Sequence, residues 1–582
     1  MSHLLAGAGV LAAAGSAAAA ILLPSGRSRA AAMLAAAVLF PLLIAADQWH
    51  SSQLVDLRDH PGRFAVLIAA LLVASALLAL GFRRRPILLP LAIVAALPFR
   101  IPLEAGGTTA NLLVPLYVVI AGGVLVVAFR DWRGWPAGPV AAGDPPPLPV
   151  AEASSGAVPP PAPPAGGSSG EAASPAGGVG DGGVEDAPAR RAPPSPATGP
   201  AGLLPLVLAA VVVLYALQTL YSPDFSKSLQ NVCFFFVPFA LVYALLRDVR
   251  WDRKLLALVL WVIGIEALAF VVVGTIEYAS RSLFWNDQVI KSNEFHTYFR
   301  VNSVFWDPNI YGRWLALAIV VAMAALLWAR ERRSLALLTG LVAVLWLGLV
   351  PTFSQSSFIA LLAGLGALAA LRWSLRWTLG AVALLAVGAV LVVLLVGGER
   401  INFSRVNIDT SGRANLVSGG LRLFAQRPLY GYGAGSFPKA FKEHSKKHRA
   451  PVSVSHTEPI TVAAEQGVIG LIAYAALLIT ALWTLGDGLW RELSTATKSR
   501  AGGAAGGTAP EEASATAGGG GSPAATGPAG QTVGRMAVLA AFVALLIHTL
   551  AYAGFFEDPI AWVLLAVGAS LAASAPAVRA AT

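Results

Sequence analysis

About fifteen blocks of apolar residues, most of them roughly 17 to 23 long, recur along this chain, and no other feature limits its fold so strongly. A block of that length crosses a bilayer as helix. Lipid offers no partner to a free backbone N–H or C=O, so only helices and closed barrels can span it. Strand-length alternation is absent from the sequence. The expected fold class is therefore all-α: a polytopic transmembrane helical bundle of about 12–15 spans, with a large extracytoplasmic loop between two late spans.

The spans are expected near residues 4–23, 31–46, 65–82, 87–99, 111–129, 203–220, 229–246, 255–275, 312–329, 334–350, 356–371, 376–396, 463–484, 536–553 and 559–576. The first block lacks a basic leader and is kept as a span rather than a cleaved signal. Two stretches rich in Pro, Ala and Gly interrupt the pattern and cannot build a core, so they read as disordered linkers. The resulting division is 1–130, N-terminal spans; 131–200, a linker; 201–485, a membrane core with an external loop at 397–458; 486–533, a second linker; and 534–582, C-terminal spans. A single cysteine, Cys233, excludes an internal disulfide framework and a cysteine metal cluster.

The formal charge of +10 becomes informative once it is placed on a side of the membrane. Basic clusters at 83–85, 130–133, 247–254, 330–333 and 372–377 all fall on one side of the alternating spans, which the positive-inside rule makes cytoplasmic. Both linkers then lie inside. The loop 397–458 lies outside, yet it holds ten Lys or Arg against four acids. Basic residues on the wrong side for topology point to an anionic ligand there.

Four stretches carry candidate chemistry. In FRVNSVFWDPNIYGRW, Asp307 and Pro308 have the N-cap and first-turn pattern, so Arg300 and Asn309 sit at a helix N-terminus that favours an anion; a plain capped helix is the bland alternative. TFSQSS, 352–357, supplies hydroxyls at another span's mouth, as many helix starts do. In SGRANLVSGGLRLFAQRPLYGYGAGSF, Arg413 and Arg422 offer bidentate forks for phosphate, and Gly431, Gly433 and Gly435 permit close approach of backbone to a ligand. The alternative there is an interfacial helix and a flexible turn. In SHTEPITVAAEQGVIG, Ser455 and Glu458 have capping-box spacing, and Glu458, Thr461 and Glu465 share a face below His456. A boundary histidine can take a proton from a hydroxyl, though a lone one more often only bonds backbone. A carboxylate within the same span strengthens the functional reading.

This ordered set, Arg300 with FWDPNIYG, then TFSQSS, then SGR…RLFAQRPLYGYGAGSF, then SHTEPITVAAEQGVIG, resembles the O-antigen ligase family over roughly residues 201–485. The resemblance implies an integral membrane glycosyltransferase of the cell membrane, multi-pass, with its active site facing outside. It would move a glycan from an undecaprenyl-type pyrophosphate donor to an acceptor hydroxyl on a glycan, lipid or protein. It implies pyrophosphate binding by Arg300 and Arg413, joined by Arg422 in the same loop, and action of His456 on the acceptor. Gln355 stands where the family often has arginine, so no phosphate role is expected of that segment.

The outer-face basic excess agrees with such a donor. Arginine can stabilise a leaving pyrophosphate without a cation, so the expected catalysis is metal-independent, inverting and free of cofactors. His456 is expected to be the general base, oriented by a cap around Ser455 and Glu458, with Glu465 paired to a basic residue nearby. Membrane lipids are the other expected partners, and nucleic acid is not one. A polysaccharide or lipid-linked glycan transporter, a protein O-oligosaccharyltransferase and a non-catalytic scaffold are the rivals. Transporters are expected to place charges through the midplane, whereas here the polar sets cluster at the span ends predicted to be outer.

Overall fold

Twelve helices of the described residues are long and apolar enough to cross a membrane, in a computed structural model that describes residues 3–51, 55, 58–105, 108–133, 200–284, 287–295, 298–373, 376–378, 380, 413–444, 455–489 and 530–574. Most of both expected linkers, and nearly all of the expected span 376–396, lie outside the described residues.

The N-terminal helices are α1 (His3–Leu22), α2 (Arg27–Asp47), α3 (Pro61–Arg84), α4 (Leu88–Ala96) and α5 (Val114–Trp132). The block expected to span at 87–99 is corrected by α4. Its nine residues rise only about 14 Å, under half the hydrocarbon thickness. A two-stranded antiparallel hairpin, β1 (Ile101–Ala105) with β2 (Thr108–Leu112), follows it and is the exception to an otherwise helical fold among the described residues.

The middle of the chain gives α6 (Pro200–Thr219), α7 (Phe225–Asn231) and α8 (Val237–Leu246), the last two joined through a π-turn at Val232–Phe236. Then come α9 (Arg253–Ser280), α10 (Asp287–Phe295), α11 (Pro308–Trp328), α12 (Arg332–Leu349) and α13 (Gln355–Arg372). The basic loop contributes α14 (Arg413–Gln426) and α15 (Phe437–His444), and the C-terminal part α16 (Glu458–Gly486), α17 (Gly530–Thr549) and α18 (Pro559–Ala573). The N-terminal spans are built into the same bundle, with α1 packed on α6 and α2 on α8.

Val66, Leu72, Trp261, Ile265, Leu347 and Ile472 point outward from the helices, an apolar exterior suited to lipid. Buried glycines at 123, 348 and 364 let helices approach: a Cβ at Gly348 would lie 2.3 Å from Val271.

One end of the bundle is closed by ion pairs. Arg29, 1% exposed, pairs with Asp248 and donates to the Ala244 carbonyl, Arg247 reaches the carbonyls of Ile21 and Leu23, and Arg130 pairs with Asp131. The site lies at the other end.

Candidate functional site

Four of the helices that start at that other end each carry a polar residue at the start. Asp307 caps α11, its Oδ1 accepting the Asn309 N–H at 2.6 Å, and Pro308 follows, as the sequence pattern predicts. Ser354 caps α13 and Asp558 caps α18, while Thr457 precedes α16 without a side-chain cap. Contacts tie these starts together: Tyr552 donates to Asp307 Oδ2 (3.2 Å), Ser354 Oγ to Asn309 Oδ1 (2.9 Å), and Arg313 pairs with Asp558 (2.8 Å) while both are buried. Helix N-termini carry partial positive charge, so their convergence favours an anion.

Arg300 enters this space from the segment before α11. Its Nε donates to the Thr352 carbonyl (3.0 Å) and an Nη to Asn309 Oδ1 (3.2 Å), so Asn309 orients the guanidinium. Its neighbours in charge are Asp307 and Arg413; burial first lowers its pKa, Asp307 opposing and Arg413 adding to the effect. Arg413, half-buried at the first position of α14, also acts on His456. The three residues Arg300, Arg413 and His456, far apart in sequence, therefore share one neighbourhood. No ion pair among the described residues includes either arginine.

His456 occupies left-handed backbone, φ 63°, which is uncommon for a residue with a Cβ and is held in place by its surroundings. The holder is Ser455, whose hydroxyl contacts the Thr457 carbonyl (2.8 Å), the Thr457 N–H and Thr461 Oγ1 (2.8 Å). This corrects the expected capping box: α16 begins after Thr457, and Glu458 turns away to accept the N–H groups of Gly554 and Phe555. The half-buried imidazole has its pKa lowered by burial and then by Arg413, against Asp307, so it is a neutral base near pH 7. Its ring faces Tyr552 at 6.2 Å.

Among the described residues Glu465 has no basic partner, in place of the pairing expected. Its two oxygens accept the N–H groups of Gly435 (2.9 Å) and Phe437 (3.0 Å), fixing the GYGAGSF loop. The loop seats where α16 breaks at Gly467, with Gly433 N–H on the Glu465 carbonyl and Val468 N–H on the Pro428 carbonyl, both 2.7 Å. The glycines serve this docking. A Cβ on Gly431 would lie 2.3 Å from the Glu465 carbonyl oxygen, and one on Gly433 2.6 Å from Ser222 Cα; Gly435 faces Ser228. The close approach expected toward a ligand is taken by the chain itself.

Arg422 does not join the cluster. Nine positions after Arg413 on the same helix, it projects from the opposite face, about 13 Å further along, and is exposed. A heptad-free amphipathic reading of the loop could not separate the two arginines, because their faces follow only once the helix start is known.

Sequence reasoning named the hydroxyls of TFSQSS without their partners and passed over His548, Glu277 and Arg100. The hydroxyls of TFSQSS form a chain from His548 Nε2 to Ser356 Oγ (3.2 Å), on to Ser354 Oγ (3.2 Å) and Asn309, ending at Arg300. Gln355, in contrast, is exposed. Glu277 holds the Arg300 segment by accepting the N–H groups of Asn302 (3.1 Å) and Ser303 (2.7 Å). Arg100, beside the hairpin, feels Asp558, Arg313 and Tyr552, with burial lowering its pKa before any of them acts. An ionisable residue inside an apolar run, such as Glu277 or His548, was the available signal.

Residues 340–475 match the family model for O-antigen ligase. No curated protein matches the chain. The match supports assignment to the O-antigen ligase family and, with the membrane helices, a membrane enzyme that transfers glycan. It takes in Arg413, His456, Glu465 and the loop glycines. Arg300, Asn309, His548 and Tyr552 lie beyond it and join the site only through the fold.

Proposed function

We propose that this O-antigen-ligase-like chain transfers a glycan from a polyprenyl pyrophosphate to an acceptor hydroxyl at the extracytoplasmic face of the cell membrane. The observation that carries the reading is the meeting of Arg300, Arg413 and His456 at converging helix N-termini, with neither arginine in an ion pair among the described residues. Two guanidinium groups and helix dipoles suit a pyrophosphate, whose charge rises as it leaves. His456 takes the acceptor proton, the freed oxygen bonds to the anomeric carbon, and the bond from that carbon to the pyrophosphate breaks. One displacement inverts the configuration. Arginine supplies the counter-charge, so the proposed chemistry requires no metal ion. The closed end of the bundle and the linkers 131–200 and 486–533 then face the cytoplasm.

The test uses purified full-length protein with an undecaprenyl-pyrophosphate-linked glycan. Arg300→Lys and Arg413→Lys keep charge but lose the planar fork, so each raises the donor KM and lowers turnover, whereas His456→Ala leaves donor binding near normal and lowers turnover. Arg422→Lys is the control that changes neither. Donor binding indifferent to both arginine changes would sink the reading. For sidedness, in a Cys233→Ala background, Leu429→Cys, 60% exposed, is labelled by an impermeant thiol reagent in intact cells and Ser174→Cys is not. The reverse pattern inverts the topology.

A further inference from the structure

A small cavity opens beside the first turns of α16. One wall is aromatic: Phe236 stacks between Tyr215, with ring centroids 4.0 Å apart, and Phe556, at 5.3 Å. The other wall is carboxylate. Glu458, Thr461 and Glu465 come from one face of α16, and Glu557 from the turn before α18. Gly435 of the docked loop completes it, so the loop that carries no ligand contact at Gly431 and Gly433 borders a cavity at its third glycine.

The carboxylate and amide oxygens left over in this cavity are acceptors. Glu465 has both oxygens occupied by backbone N–H groups. Glu458 uses Oε2 alone for Gly554 and Phe555, and Glu557 has no hydrogen bond among the described residues. Asn231, 5% exposed, gives its Nδ2 to Tyr215 (2.9 Å) and leaves Oδ1 without a partner, an arrangement that disfavours burial unless something donates to it. Asn231 and Phe236 flank and end the π-turn, a distortion that recurs at functional sites. Surplus acceptors call for a ligand rich in donors. Lys227 also lines the cavity and disfavours a cationic ligand. A volume of about 50 Å³ has room for three or four water-sized groups.

We infer that this cavity is a sugar subsite, which takes the hydroxyl edge of one ring of the donor or acceptor glycan while the aromatic wall meets the ring's apolar face. The inference rests on the transferase reading above. It gives the glycan a fixed register next to His456, two residues before Glu458, separately from the arginines that hold the pyrophosphate.

The experiment compares the full-length wild type in lipid nanodiscs with Asn231→Leu, Glu557→Gln, Arg300→Lys and Arg413→Lys. Binding is measured for bare undecaprenyl pyrophosphate and for the same carrier bearing glucose, galactose or N-acetylglucosamine. KM is measured for the matching methyl glycosides as acceptors. The wild type prefers at least one glycosylated carrier, or saturates with one glycoside. Asn231→Leu and Glu557→Gln weaken that interaction about tenfold and leave bare-carrier binding unchanged. Loss on the carriers marks a donor subsite, and loss in acceptor KM alone an acceptor subsite. If both cavity variants leave every glycosylated probe and acceptor KM unchanged while Arg300→Lys or Arg413→Lys weakens bare-carrier binding, the subsite is overturned and the transferase reading stands. If Arg300→Lys and Arg413→Lys both leave bare-carrier binding unchanged, the transferase reading fails first. Should Asn231→Leu not fold, the half-exposed Glu557→Gln carries the test.

Discussion

The two ends of this bundle treat charge in opposite ways. At the closed end each buried arginine meets an acid or a carbonyl, as Arg29 meets Asp248 and Ala244, and little field is left over. At the site end Arg313 is paired with Asp558, but among the described residues Arg300 and Arg413 are in no ion pair. Glu277, Glu458 and Glu465 each accept at least two backbone N–H groups, while Arg300 and Arg413 hydrogen-bond at most to neutral groups among the described residues. The same residue types fasten helices at one end and hold an anion-ready space at the other. A buried carboxylate that binds loop amides can order a site without neutralising it.

The sharpest way to break this contrast is to remove a charge at each end. His456→Ala at the site end is expected to lower turnover by about 10² to 10⁴ with a small change in thermal stability. Arg29→Leu is expected to destabilise by about 1–3 kcal/mol, discounted for the partial exposure of Asp248, while the KM for donor in the folded fraction stays normal. Thermal melts beside turnover numbers decide it. A stable, fully active Arg29→Leu, or a His456→Ala that loses only stability, would erase the distinction.

Next in size is the loop that Glu465 holds. Gly431→Ala places a Cβ against the Glu465 carbonyl oxygen at φ +68°, and should destabilise by about 2–4 kcal/mol and lower activity with it. Gly340→Ala, where nothing lies within 4 Å in mid-helix, should be neutral or slightly stabilising. Equal melting temperatures for the two variants would show that the docking is not tight.

The smallest effect is a shift in pH dependence. A base whose pKa is lowered is deprotonated over a wider range, so kcat/KM should fall only as pH drops below the 6.5 of an ordinary imidazole. Asp307 raises that pKa and Arg413 lowers it, so Asp307→Asn should move the acid limb down and Arg413→Gln should move it up. Shifts in the same direction for both would place another group in control.

Apolar blocks of span length specified the helices, and the Asp307–Pro308 pair specified where α11 begins, because both are local matters of backbone satisfaction and capping. The residues Arg300, Arg413 and His456 stood out as types in polar stretches at span ends. Their meeting was not legible from spacing, since 156 positions separate Arg300 from His456. Only packing brought them together, and only packing assigned Glu465 to backbone amides instead of a cation, made the loop glycines docking points, and turned Arg422 away. Hydrogen-bond partners and helix faces depend on where each element starts and what lies against it. A charge in an apolar run announces that something must offset it, and the tertiary fold decides what does.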